Sequence, residues 1–329
     1  MGFSPLFFNL TRRVEIRYAR GVFISLHLGN EIPAFRPHAR HLARLRRAFP
    51  GAALRDCAGE ADFLDALPGT THALVWNFRA EWLARAPRLR HIATPAAGRD
   101  WVEPAATAGL RTTFGSFHGP LIAQTLLGQL LAFNRGILDA ARLARGGHLW
   151  PRRELAARCR DVRGTRAVLL GFGNVGQAVG MGLKSLGIRV TGIRRDVSQP
   201  APGWFTRGDR VLPIHELDRV LPSADHLVCA LPATPETRLL LDARRLALLP
   251  RRAAVYNVGR GNVLDEDALA RLLEDGLLRG ALLDVFQSEP LSAGSPLRSA
   301  PNFHPLPHAS AIAPNYLDLW LDELIPKLP

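Results

Sequence analysis

One stretch constrains the fold more than any other: residues 165–196, TRAVLLGFGNVGQAVGMGLKSLGIRVTGIRRD. Ala167, Val168, Leu169 and Leu170 form an apolar run with no polar break, the pattern of a parallel strand buried on both faces. Gly171, Gly173 and Gly176 follow at once in GxGxxG spacing. In such a turn the first glycine permits the tight bend, the second lets the backbone approach a pyrophosphate, and the third lets the helix pack closely on the strand. A helix is expected over 175–186, stopped by Gly187, with a second strand over 188–193. The turn thus opens onto a helix N-terminus, where the backbone about Asn174 and Val175 offers free N–H groups and a positive dipole end to phosphate. The whole reads as a dinucleotide-binding β-α-β unit.

The end of the second strand bears on which dinucleotide is bound. An acidic residue there would hydrogen-bond the ribose 2′-OH of NAD, and arginine would accept the 2′-phosphate of NADP. Arg194 and Arg195 stand at this point and favour NADP(H), while Asp196, slightly further on, keeps NAD(H) open.

A chain of 329 residues with 47% hydrophobic content can bury more than one core, and two domains are expected. No apolar run approaches the roughly eighteen residues of a membrane helix. The N-terminal MGFSPLFFNLTRR puts apolar residues before basic ones, the reverse of a secretory signal, and Leu6 does not fit a myristoylation motif, so no export is expected. Cys57, Cys159 and Cys229 are far apart and lack CxxC spacing, which suits reduced thiols in a cytoplasmic protein. The net charge of +13 is nearly all arginine spread along the chain, Lys184 and Lys327 being the only lysines. With no recognition helix, zinc finger or RNP-like motif, that charge is not read as a nucleic-acid surface.

Ahead of the glycine turn, strands are expected over 22–28, 71–75 and 89–94, and helical segments over 38–49, 62–67 and 81–86. In the first helix Leu42, Leu45 and Phe49 share one face, with Arg40, Arg44 and Arg47 on a solvated one. Such alternation argues for a small parallel α/β domain, with Trp76-Asn77-Phe78 and Pro95-Ala96-Ala97-Gly98 at carboxyl strand ends, where open sheets bind ligands. Residues 120–133 start with proline and are apolar almost all round, predicting a buried helix that enters the second domain. Further strands and helices are expected over 226–231, 243–248, 253–258, 266–274 and 281–286, and an acidic amphipathic helix over 315–324.

Three later stretches carry chemistry. Asn257-Val258-Gly259-Arg260-Gly261 follows an apolar run, which places a guanidinium able to grip a carboxylate at a strand's carboxyl end. Asp284 to Glu289 closes another strand with two carboxylates. Pro307-His308-Ala309-Ser310 sets an imidazole, suited to proton transfer near neutral pH, in a proline-set turn. His304 and His308 have helical metal-ligand spacing, but Pro305 and Pro307 forbid that helix, and no metal site is expected. Cys229, His91, His118 and His148 read as packing or surface residues.

GFGNVGQAVG, LPATPETR over 231–238, NVGRGNVLDEDAL over 257–269, LDVFQSEPL over 283–291 and PHAS from Pro307, in this order, resemble the D-isomer-specific 2-hydroxyacid dehydrogenase family over nearly the whole chain. The resemblance implies a Rossmann-type doubly wound domain over 119–293, inserted into a flavodoxin-like α/β substrate domain of residues 1–118 and 294–329, with the active site in the cleft. It implies hydride transfer between NADP(H) or NAD(H) and a small 2-oxo acid, with glyoxylate or hydroxypyruvate preferred. His308 would be the acid in reduction and base in oxidation, Glu289 its partner, and Arg260 the grip on the substrate's carboxylate and keto oxygen. Asp284 would lie near the nicotinamide, and Leu231, Pro232, Val258 and Gly259 along the cofactor groove with Thr237 as a polar contact. Ala97 and Gly98 would offer N–H groups to the substrate. Trp76, Phe78 and Trp320 leave a bulkier substrate side chain open.

The family also implies a homodimer, with residues 140–153 reaching across. Gln124 departs from the glutamate common in the interdomain helix, the tail with Pro314 is short, and the regulatory extension of long phosphoglycerate dehydrogenases is not expected. Glu289 stands where formate dehydrogenases carry glutamine. Alternatives are an NAD-dependent phosphoglycerate or D-lactate-type dehydrogenase, or a non-catalytic dinucleotide-sensing corepressor-like protein.

Overall fold

The apolar runs become strands of two sheets, every ladder of which is parallel. The computed structural model describes residues 21–107 and 109–328, so the N-terminal segment read for targeting lies outside the described residues. Two compact units result: one takes in the described residues up to Ala96, Trp101–Phe114 and the stretch from Leu317, the other Ala97–Asp100 and Gly115–Tyr316.

In the first unit β1 (Phe23–His27), β2 (Ala53–Asp56), β3 (His72–Val75), β4 (His91–Thr94) and β5 (Arg111–Phe114) are ordered β2-β1-β3-β4-β5. β3 and β4 are buried throughout, whereas β2 and β5 are sheet edges with mostly exposed or half-exposed residues. Neither edge was expected from the sequence, because an edge strand carries little of the apolar run that marks a central one. The helix Ala39–Ala48 buries Leu45. Its arginine face is solvated as expected, with Arg40 and Arg47 exposed, and two of its arginines also pair with the helix Tyr316–Leu324: Arg40 reaches Asp318 at 3.1 Å and Arg44 bonds Asp322. Phe78 and Trp320 are core residues with 1% and 2% of their surface exposed, which removes both from any substrate wall.

The second unit contains β6 (Arg166–Leu170), β7 (Arg189–Arg194), β8 (Arg210–Pro213), β9 (His226–Cys229), β10 (Ala254–Asn257), β11 (Gly280–Leu283) and β12 (Phe303–Pro305). Their order is β12-β11-β10-β9-β6-β7-β8, so the chain winds outward from β6 to one edge, returns to its other side at β9 and winds out again. Ligands of open α/β sheets bind at such a switch point, beyond the carboxyl ends of the strands. Alternate residues of β6 face opposite cores: Val168 and Leu170 meet Leu269 and Leu273 on one side, Ala167 and Leu169 meet Leu126, Val179 and Leu183 on the other. That double burial is why the run has no polar break.

Two expectations are corrected here. The boundary expected at 294 falls after Tyr316, because β12 pairs with β11, Phe303 opposite Ala281, and adds a strand to the second sheet. The helix expected over 120–133 runs His118–Asn134 and is not buried all round. Ile122, Leu126, Leu130 and Phe133 face the core, while Pro120, Gln124 and Gly128, spaced one turn apart, are exposed. No single described helix is long and apolar enough to cross a membrane.

Candidate active site

The glycine turn joins β6 to the helix Asn174–Ser185, with Gly173 at the N-cap. Each glycine meets a different constraint. Gly171 has φ +95°, and a Cβ there would stand 2.6 Å from the Ala230 carbonyl oxygen. A Cβ on Gly176 would run into the Gly171 carbonyl, so the helix starts tight against the turn. A Cβ on Gly173 would meet nothing within 4 Å. The outer side of the turn is therefore open over a helix N-terminus, a backbone donor set that fits a pyrophosphate. Phe172 between the glycines is buried against Trp204 and Phe205 and covers Gly192 of β7, a packing role that the motif itself does not signal.

Beyond β10 the chain turns through Val258 and Gly259 to Arg260. Buried Asn257 holds this turn, its Oδ1 accepting from Gly259 N–H at 3.0 Å and its Nδ2 donating to the Arg260 carbonyl at 3.1 Å. Gly259 has no room for a Cβ beside the Leu231 backbone, so the ends of β9 and β10 are in close contact. The Arg260 guanidinium donates from Nε and Nη2 to the two oxygens of Asp100, at 3.4 and 3.2 Å, and from Nη1 to the Gly259 carbonyl at 3.0 Å. Gly98 lies directly beneath it, where a Cβ would overlap both Arg260 and Asp100. Gly98 is thus the floor under the guanidinium; Ala97 beside it is exposed.

His308 follows β12 with φ +51°, a left-handed conformation that histidine adopts more readily than most non-glycine residues. Its Nδ1 lies 2.8 Å from Oε2 of Glu289, whose Oε1 accepts from Phe286 N–H at 3.1 Å. Both side chains are about two-fifths exposed, so the far ring nitrogen of His308 is in reach of a ligand. Asp284, 1% exposed, fixes the backbone on either side: its carbonyl accepts from His308 N–H at 2.8 Å. Its carboxylate takes the N–H of Ala309 at 2.7 Å, the N–H of Ser310 at 3.2 Å and the Ser310 hydroxyl. A carboxylate has about four acceptor positions; most of those on Asp284 serve the His308 turn.

The second unit thus brings together Arg260, Glu289, His308, Asp284, Gly98 and the glycine turn. The other expected contacts are placed as follows. Thr237 is buried and staples its own loop, donating to the Pro232 carbonyl at 2.7 Å and accepting from Thr234 N–H at 2.9 Å. Leu231 is half-buried, its side chain against Gly171, and Pro232 is exposed. Asp196 accepts from Ser198 N–H at 2.8 Å and from its hydroxyl at 2.6 Å, and these bonds hold its carboxyl below the usual range. Arg194 bonds Gln199, while Arg195 is exposed and its charge helps to lower the pKa of Glu236. In the first unit Trp76 donates its indole N–H toward the carbonyls of Leu28 and Phe35, and its ring lies 6.0 Å from that of Trp101. His304 packs edge-on to Phe133, and among the described residues no group of three or more His, Cys, Asp or Glu could hold a metal. Asp100 and Asn257 were missed from the sequence, since neither declares a partner that only the folded loops supply.

A doubly wound parallel sheet with an open glycine turn at its switch point defines a dinucleotide-binding α/β protein. Residues 127–310 match the model of the D-isomer specific 2-hydroxyacid dehydrogenase NAD binding domain, and the chain belongs to that family of nicotinamide-dependent oxidoreductases. It is 30% identical to D-3-phosphoglycerate dehydrogenase of Haemophilus influenzae over 80% of this chain and 62% of that one. Glyoxylate reductase of Thermococcus kodakarensis is 33% identical over 62% of each. The chain therefore spans less than two thirds of these two relatives. A D-isomer specific 2-hydroxyacid dehydrogenase from Xanthobacter autotrophicus Py2, solved with NADPH and MES, superposes with a TM-score of 0.76 at 30% identity, covering 94% of this chain and 95% of that one.

Proposed function

We propose that this chain reduces a small 2-oxo acid, glyoxylate or hydroxypyruvate first, to the D-2-hydroxy acid, with NADP(H) preferred over NAD(H). The observation that carries this reading is the 2.8 Å bond between His308 Nδ1 and Glu289. A carboxylate on Nδ1 orients the ring and leaves Nε2 turned to a ligand. When bound, a reduced nicotinamide supplies the hydride to the keto carbon and is itself oxidised. His308 Nε2 gives the proton to the keto oxygen as charge builds there, Glu289 holds the ring in place through Nδ1, and Arg260 binds the substrate carboxylate and polarises the carbonyl. Oxidation runs the same proton back to Nε2.

The glycine turn, with the N–H groups about Asn174 and Val175, would hold the pyrophosphate, and Leu231, Pro232, Val258 and Gly259 would line the groove. Arg195, exposed at the end of β7, supports NADP(H). The NADPH complex of the Xanthobacter relative supports the same choice. Three free cysteines suit a reducing, cytoplasmic setting. Self-association through the segment 140–153 is supported by the exposure of Leu149 and Trp150, each 77% accessible.

The direct test is loss of reduced-nicotinamide absorbance, with NADPH and NADH in parallel, against glyoxylate, hydroxypyruvate, pyruvate and phenylpyruvate. Turnover of glyoxylate or hydroxypyruvate, faster with NADPH, is expected. Binding of either dinucleotide without turnover of any 2-oxo acid would contradict the reading and favour a sensor.

A further inference from the structure

We propose that Asp100 is the positioning residue for Arg260, fixing the guanidinium so that two of its N–H groups face the 2-oxo acid. The inference rests on the role proposed above for Arg260 and assigns what orients it.

Arginine carries five N–H donors in one plane. Three are taken: Nε and one on Nη2 by the two oxygens of Asp100, and one on Nη1 by the Gly259 carbonyl. The remaining two, one on each terminal nitrogen, are left to donate to a ligand such as a carboxylate. Asp100 thus occupies the Nε–Nη2 side edge and leaves an N–H on each terminal nitrogen for a ligand. The loop is built for this pairing, because a Cβ on Gly98 would overlap both Arg260 Nη2 and Asp100 Oδ1, so a larger residue there would push the pair apart.

Stability does not account for the pair. The Asp100 side chain is 51% exposed and that of Arg260 22%, and ion pairs so wet contribute little to folding. Attraction of an anionic substrate does not account for it either, since a carboxylate beside the guanidinium offsets the positive charge. What remains is orientation: an unpaired arginine side chain samples many rotamers, and holding one of them before the substrate arrives lowers the entropy lost on binding. Acceptor oxygen geometry, rather than charge, is then what Asp100 contributes. This separates the two obvious variants: Asp100→Asn keeps an acceptor oxygen and drops the charge, and Asp100→Ala loses both.

The experiment is steady-state kinetics on Asp100→Ala, Asp100→Asn and Arg260→Gln, using whichever of glyoxylate or hydroxypyruvate the wild type turns over faster, with NADPH binding followed by nucleotide fluorescence. Asp100→Ala is expected to raise KM for the 2-oxo acid about tenfold or more, the scale of one charge-assisted hydrogen bond, with NADPH affinity unchanged. Asp100→Asn, which keeps one of the two acceptor oxygens, is expected to recover part of that loss. Asp100→Ala with wild-type KM, or Asp100→Asn as impaired as Asp100→Ala, would overturn the proposal while a crippled Arg260→Gln left the role of Arg260 standing. An Arg260→Gln variant with wild-type kcat/KM would overturn the underlying reading itself.

Discussion

His226 on β9 is 2% exposed, with Thr165 Oγ1 3.2 Å from its Nε2 and the Tyr256 hydroxyl 3.4 Å from its Nδ1. Burial pushes its pKa down to about 4, and burial does the same to His91 on β4, also to about 4, with Arg111 adding to the effect. Both imidazoles are therefore neutral in the folded protein over a range where the unfolded chain, with histidine near 6.5, is protonated. The unfolded state binds more protons between these values, so stability is fully present above about pH 6.5 and is lost as pH falls toward 4. Each site should cost on the order of 2 kcal/mol at about pH 5. Urea midpoints compared across that window should fall on acidification, and His226→Gln should flatten the dependence; a pH-independent midpoint would be contrary to these environments. At this scale the sequence was informative where a motif names the residue. Arg260, Glu289 and His308 each follow a strand in a recognisable run, but Asp100 acquires its meaning only from a partner 160 positions away. Thr237 shows a role the motif does not signal: its hydroxyl also holds its own loop.

The turn between β6 and its helix makes a prediction that belongs to the element. Gly176 has its Cβ position filled by the Gly171 carbonyl, whereas Gly173 faces open space. Gly176→Ala should force the helix off the turn and cost about 1–3 kcal/mol, the usual penalty of overpacking. Gly173→Ala should fold with a near wild-type melting temperature yet bind NADPH more weakly, its methyl group lying where a pyrophosphate would approach. Melting curves with titrations of both variants separate these effects, and equal stability losses would contradict the assignment. Elements also show why legibility was uneven. β3, β4, β6, β9, β10 and β11 were expected from buried apolar runs, while the edge strands β2, β5 and β8 carry arginine and half-exposed residues that look like loops. β12 is three residues long and contains proline, too short for periodicity to reveal it. The exposed stripe on the helix His118–Asn134 went unseen because Pro120 and Gly128 are not charged, and apolar composition was taken for burial.

At the scale of the whole molecule, two all-parallel sheets divide the labour. The first unit resolves into a five-stranded sheet, and the second holds the glycine turn, Arg260, Glu289 and His308 at strand ends of one seven-stranded sheet. Its alternating β-α pattern could be read from sequence, whereas the allocation of 294–316 could not, because that depends on β12 finding β11 rather than on any local signal. The central proposal is acid-assisted hydride transfer with His308 as the acid. The most direct measurement is the single-turnover rate of reduced-nicotinamide absorbance loss in wild type and His308→Gln at saturating 2-oxo acid, with NADPH affinity determined for both. The account predicts a rate lower by about a hundredfold to ten-thousandfold at unchanged NADPH affinity, the contribution of a positioned proton donor. A His308→Gln variant that turns over at the wild-type rate would contradict it.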